Sequence, residues 1–207
     1  VSTHTEPQVF AFDDIAEAAV AAAIDQYPEG RQMSTVKTVL DIAQRQMGRT
    51  TGVAWLPQAA LDAVAARLGA APIRVYEIAT FYTMFNLKPV GKYHLQVCTT
   101  TPCWLRGSDE IVAACKSASG IQHFGHSSED GLFTLTEAEC LGACVNAPIL
   151  QINDDYYEDL DAGRTEALLN TLKAGEPLPP AGSSIGRQAS APIEGQTTLL
   201  SVTGAAE

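Results

Sequence analysis

Val97-Cys98-Thr99-Thr100-Thr101-Pro102-Cys103-Trp104, answered 36 residues after its second cysteine by Glu139-Cys140-Leu141-Gly142-Ala143-Cys144-Val145-Asn146-Ala147-Pro148, decides the reading of this chain. Cys98-x4-Cys103 and Cys140-x3-Cys144 offer two pairs of thiolates to one inorganic centre. Hydroxyls, proline and short side chains let such loops curl around a centre, so that backbone N–H groups approach sulfur and tune it. Structural zinc also takes four cysteines in two pairs, but usually with Cys-x2-Cys spacing in its tight knuckles. The spacing therefore favours an iron-sulfur centre over zinc. Two disulfides rank third, because nothing else in the chain has a secreted character.

Outward from the first pair, Tyr93, Leu95 and Val97 alternate with His94 and Gln96, the period of a half-buried strand that delivers Cys98 at its end. From about residue 106 to 119 the period becomes helical, with Ile111, Cys115 and Ala118 on one side. Cys103 is thereby expected near a helix N-terminus, where free N–H groups favour an anionic ligand. A second strand is expected over 132–138, ending at Cys140. A hairpin follows, from 149–152 through Asn153-Asp154-Asp155 to Tyr156-Tyr157, and then a helix over 162–173. This order, β-α-β-β-α, puts both ligand loops after strand ends, where α/β-type folds place their sites. Cys115 is the odd cysteine. On one continuous helix it would lie roughly 18 Å from Cys103, too far to share the centre, and its apolar neighbours mark it as a core thiol. The four histidines lack metal-ligand spacing, and His123 and His126 read as loop surface.

The N-terminal third predicts four amphipathic helices. The first follows the acidic Asp14-Ile15-Ala16-Glu17 and stops at Pro28 and Gly30. The second starts at Ser34, stripes Val36, Leu40, Ala43 and Met47, and ends at Gly48. The third opens on Pro57, lines up Leu61, Val64 and Leu68, and closes at Gly69. The fourth opens on Pro72 and buries Val75, Ile78, Ala79 and Tyr82. Short loops make these a small bundle. A helix-turn-helix around Gly69-Ala70-Ala71-Pro72 lacks the basic footprint of DNA binding, since Arg74 alone would serve the second helix. Tyr76, Phe81, Tyr82 and Phe85 read as core, with some of them available to a partner chain.

The 207 residues suffice for one ordinary core plus a helical appendage. No apolar run reaches the 18 or more residues of a membrane span. Val1 implies a removed methionine or a trimmed precursor, and the acidic start is unlike a transit peptide. Net charge is −11 overall, and residues 91–175 hold 5 Lys and Arg against 12 Asp and Glu, a net of −7. Such a surface argues against nucleic acid. It also opposes adding an electron to an anionic cluster and pushes its potential down. After Gly175 the composition turns to Pro, Ala, Gly, Ser and Thr and periodicity stops, apart from Leu199-Leu200-Ser201-Val202. Residues 176–207 are expected to be disordered or draped on a partner.

Three strings carry a family resemblance: Cys98-Thr-Thr-Thr-Pro-Cys103, Glu139-Cys-Leu-Gly-Ala-Cys-Val-Asn-Ala-Pro148 and Gln151-Ile-Asn-Asp-Asp-Tyr-Tyr-Glu-Asp-Leu160, with Glu77-Ile-Ala-Thr-Phe-Tyr-Thr-Met-Phe85 beside them. They resemble the 2Fe-2S (24 kDa-type) subunit of the NADH-dehydrogenase module of respiratory complex I, over roughly residues 10–175. The resemblance implies an α+β chain, with an N-terminal helical bundle (1–88) followed by a thioredoxin-like 2Fe-2S ferredoxin domain (89–175). It implies one 2Fe-2S cluster on Cys98, Cys103, Cys140 and Cys144, in an electron-transfer subunit of the translocase NADH:quinone oxidoreductase. FMN and NADH would lie on the adjacent flavoprotein subunit, in keeping with the lack of a Gly-rich dinucleotide fingerprint here. The cluster would exchange one electron with that flavin, off the main chain. The flavoprotein and the large iron-sulfur subunit would be the partners. The place would be the peripheral arm, on the cytoplasmic side of the bacterial inner membrane or the mitochondrial matrix side, without membrane insertion. The same subunit type in an NAD-linked hydrogenase or formate dehydrogenase is the near alternative. A zinc-stabilised interaction module is the alternative of another class, and a thiol oxidoreductase lacks its Cys-x2-Cys.

Overall fold

The computed structural model describes residues 6–195 and residue 198, which leaves Val1, His4 and the Leu199–Val202 patch outside the described residues. Two compact units divide between Lys92 and Tyr93.

The first unit is the expected helical bundle. Helix α1 (Asp14–Ile24) is capped by Asp13, whose carboxylate accepts from the Ala16 N–H at 2.7 Å. A 3-10 turn (Gln32–Thr35) leads into α2 (Val36–Thr51), which runs through Gly48 and stops at Gly52, in the left-handed region at φ 76°. The expected stop at Gly48 is wrong for a packing reason. A methyl there would press on the Ala54 Cβ at 3.3 Å, so this glycine serves a close approach rather than a helix end. Helices α3 (Gln58–Leu68) and α4 (Pro72–Phe81) open as expected, and α3 closes at Gly69 as expected. Val39, Leu40, Ala43, Leu61, Val64, Leu68, Val75 and Ala79 form the core. Tyr82 caps α4 outside the core, and Tyr76 and Phe81 are exposed. Of the aromatic cluster only Phe85 is buried.

The second unit is a six-stranded sheet in the order β2-β3-β1-β4-β5-β6, made of β1 (Tyr93–Cys98), β2 (His126–Ser127), β3 (Phe133–Ala138), β4 (Leu150–Ile152), β5 (Asp155–Glu158) and β6 (Gly182–Ser183). The strands β1 and β3 are parallel, so their C-terminal ends, and the two cysteine loops that follow them, lie at the same edge. The strand β4 is antiparallel to β1 and turns through Asn153, at φ 55°, into β5. Between β1 and β3 come two helices, α5 (Thr101–Leu105) and α6 (Ser108–Ser119), broken at Gly107, which adopts φ 96°. The helix expected over about 106–119 is α6, but it does not run back to Cys103, so the distance argument for Cys115, which needed one continuous helix, fails. That thiol is nonetheless fully buried, in the core of Leu95, Val97, Ile111, Phe133, Leu135, Leu150 and Leu169. The last helix, α7 (Ala162–Ala174), is capped by Asp161.

The start of the tail is not free. Leu178 packs on this core, the Tyr157 hydroxyl donates to the Pro179 carbonyl at 3.3 Å, and β6 pairs with β5 in parallel. The described part of the tail drapes over its own chain, because local backbone pairing supplies what its composition lacks.

Candidate metal centre

Cys98 closes β1 and Cys103 stands in the first turn of α5, which Pro102 helps to start. Both are sealed, at 1% and 0% exposure, in an apolar cluster with Ala147 and Ile149, against which Leu141, Ala143 and Tyr156 pack. Cys140 and Cys144 follow β3 on an exposed loop with their sulfurs 3.8 Å apart. Parallel register sets Cys98 opposite Ala138, so the Cys98 thiol meets the next loop directly, donating to the Glu139 carbonyl at 3.2 Å. The topology thus brings the two halves of the sequence motif together.

The thiols are electrostatically coupled. Burial opposes charge on Cys98, but the N–H groups of Leu141 and Thr100, the Thr100 hydroxyl and the Cys103 thiol outweigh it and hold Cys98 below its ordinary value. Burial pushes Cys103 up to about 12, with a charged Cys98 beside it adding to the rise and Cys144 contributing. Cys144 is raised first by its partner Cys140 and then by burial and Cys98. The Tyr156 hydroxyl, donating to the Leu141 carbonyl at 2.9 Å, is raised by burial and then by Cys98 and Cys140. At Cys103 and Cys144 the neighbouring thiols discourage ionisation, and such a donor set calls for positive charge among its sulfurs.

The donor set fits a metal-sulfur centre. Two thiolates on one tetrahedral metal, with bonds of about 2.3 Å, stand about 3.8 Å apart, which is the Cys140–Cys144 separation. Among the described residues no three His, Cys, Asp or Glu side chains converge tightly enough to grip a single ion, and the thiols are arrayed as pairs. The N–H groups of Thr100 and Leu141, one from each cysteine loop, point at Cys98 as expected of loops that tune a cluster.

The model of the thioredoxin-like [2Fe-2S] ferredoxin family matches residues 20–173. The chain belongs to this family. An NADH-quinone oxidoreductase subunit of Rickettsia typhi is 50% identical over 82% of this chain and 96% of its own length. "NADH dehydrogenase [ubiquinone] flavoprotein 2, mitochondrial" of Dictyostelium discoideum is 48% identical over 87% of this chain and 70% of its own. Among solved structures, an NAD+-reducing [NiFe]-hydrogenase in the air-oxidised state superposes with a TM-score of 0.55 at 24% identity, over 67% of this chain and 23% of that one. At that identity the likeness speaks for the fold, which is the α+β fold of the thioredoxin-like [2Fe-2S] ferredoxins.

Sequence reasoning missed the residues that back the exposed loop. Asn146 and Asp159 are buried, and Arg187 belongs to a tail read as disordered or draped on a partner. Arg187 is the one Lys or Arg after residue 175, and that isolation was the available signal.

Proposed function

We propose that Cys98, Cys103, Cys140 and Cys144 hold one 2Fe-2S cluster, and that the chain is the electron-transfer subunit of an NADH-quinone oxidoreductase. The observation that carries this reading is the meeting of two thiol pairs at one end of parallel β1 and β3. About 50% identity to NADH-quinone oxidoreductase subunits, along nearly their whole length, favours complex I over the hydrogenase-type enzymes. When bound, such a cluster takes up and returns one electron at a time. The chain's own residues anchor the four sulfurs, donate N–H groups from Thr100 and Leu141 to Cys98, and exclude water from the first pair with Ala147, Ile149 and Leu141.

Exposed Trp104 and Leu105 beside Cys103, and Val145 beside Cys144, give the cysteine loops an apolar rim suited to a protein partner. The flavoprotein bearing FMN and NADH is the partner proposed there, and the large iron-sulfur subunit is the second neighbour. No helix among the described residues is long and apolar enough to cross a membrane. The place proposed is the peripheral arm, on the cytoplasmic or matrix side.

The test is low-temperature EPR of anaerobically purified protein before and after dithionite, with iron and acid-labile sulfide assayed in parallel. The expected result is a silent oxidised state and a reduced signal near one spin per chain. Silence in both states together with bound zinc would replace the redox reading with the interaction-module one.

A further inference from the structure

The exposed Cys144 loop is held from behind by a segment that lies beyond the family model. The 3-10 turn Cys144–Asn146 starts at the last thiol, and the family model ends at residue 173. The Asn146 carbonyl accepts from the Asp159 N–H at 2.7 Å. The Asn146 amide donates to Glu158 Oε2 at 2.6 Å and to the Ala189 carbonyl at 2.8 Å. Arg187 donates from Nη2 to Asp159 Oδ1 at 2.8 Å and from Nη1 to the Val145 carbonyl at 3.4 Å. The side chains of Arg187 and Asp159 are 7% and 4% exposed, so this pair is desolvated, unlike the solvent-facing pairs Arg49–Asp13 and Arg67–Glu17. Ser183 donates to the other Asp159 oxygen and Ser184 to the Asp159 carbonyl, each at 2.6 Å.

We infer that residues 182–189 form a strap whose Arg187 is a positioning residue for Cys144. The inference rests on the ligand assignment proposed above. A desolvated ion pair is a poor source of stability compared with apolar packing, but removal of one partner leaves the other charge buried and unpaired, so its geometry is strongly enforced. Here the enforced geometry ends on the two residues that follow a ligand. Asp159 itself sits in the left-handed region, at φ 52°. Arg187 fits the role better than lysine because its fork reaches a carboxylate and a carbonyl at once.

The test uses the full chain with its cluster loaded, comparing wild type with Arg187→Gln, Arg187→Lys and Ser183→Ala. The readouts are the rate of iron release to a chelator, the g-values of the reduced EPR signal, and the melting of the metal-free protein. Arg187→Gln is expected to release iron about 10- to 100-fold faster, the usual effect of losing a group that orients a ligand, and to shift the g-values. Arg187→Lys should follow Gln rather than wild type. Wild-type release and unshifted g-values in Arg187→Gln, even with a lower melting temperature, would overturn the strap. If Arg187→Gln does not fold, Ser183→Ala decides: the Ser183 hydroxyl donates to Asp159 and accepts from the Ile185 and Arg187 N–H groups, so its loss should still accelerate release about fivefold or more, and a wild-type rate would overturn the proposal. A wild-type chain that binds no cluster would instead refute the ligand assignment, a distinguishable result.

Discussion

Cys98 and Cys103 are held by the fold itself, one at a strand end and one in a helix, in an apolar cluster closed to water. Cys140 and Cys144 stand in solvent on a loop that owes its shape to Tyr156, Asn146, Asp159 and the returning tail. The first pair is a piece of the core that happens to be thiol. The second is a surface loop given precision by polar contacts behind it. Under the proposed ligation, one centre is gripped from a rigid side and from an adjustable side. Burial holds the Cys103 thiol uncharged at the rigid side, so the bound metal would supply the charge that permits its ionisation.

Serine at each ligand breaks the comparison most severely. Cys98→Ser, Cys103→Ser, Cys140→Ser and Cys144→Ser are each expected to abolish or remodel the cluster, whereas Cys115→Ser retains iron, read by iron and sulfide analysis. The metal-free proteins should then separate the two sides. Serine at 140 or 144 leaves the melting curve within about 0.5 kcal/mol of wild type, as at other exposed positions. Serine at 98 or 103 costs about 1 to 3 kcal/mol, because a hydroxyl enters an apolar cluster. Equal melting of all four would show that the buried pair is no part of the core.

Alkylation of the metal-free chain sharpens the same contrast with no mutation. Cys140 and Cys144 should react with a maleimide first and Cys98 and Cys103 behind them, with Cys115 reacting only on unfolding, as mapped by mass spectrometry. Access sets this order, and the raised Cys103, held at about 12 by burial and its charged neighbour, reinforces it. A Cys103 that labels as fast as Cys140 would mean that the apolar cluster opens without metal.

Tyr156→Phe tests the link between the two sides. Its hydroxyl is fixed to the Leu141 carbonyl, and the N–H of Leu141 reaches Cys98. Loss of that bond should cost about 0.5 to 1.5 kcal/mol in a denaturant melt and shift the visible circular dichroism of the loaded protein. A spectrum identical to wild type would show that the loop holds its shape without Tyr156.

The same division explains what could be read before the fold was known. The alternation Tyr93, Leu95, Val97 and the helical stripes of Leu40, Leu61 and Val75 are burial patterns, and burial is written in residue type. The helix end at Gly69 was equally legible, because a left-handed cap asks for glycine. Gly48 misled because glycine also marks close packing, here against Ala54. The break at Gly107 was hidden because the apolar spacing of Ile111 and Cys115 lies wholly within α6 and carries no mark of the corner before it. The four proposed ligands were named from the chemistry of cysteine, but the backing of Cys144 was not legible. Asn146, Asp159 and Arg187 are ordinary surface types whose burial exists only through one another. Pairwise polar burial at a separation of 28 to 43 residues leaves no period.

The last test concerns His94, on the strand that delivers Cys98. Burial depresses its pKa from 6.5 to about 4, and its Nε2 lies 2.9 Å from the Thr136 hydroxyl. The unfolded chain binds a proton between pH 6.5 and 4 that the folded chain refuses, so the stability this neutral imidazole contributes is present above 6.5 and lost as pH falls toward 4. The slope is at most about 1.4 kcal/mol per pH unit from this one group. Denaturant melts of the metal-free wild type and His94→Gln across that window should converge as the pH falls, because glutamine has no proton to gain. Parallel curves would mean that water already reaches the imidazole, and that the rigid side of the centre is open at the strand beneath it.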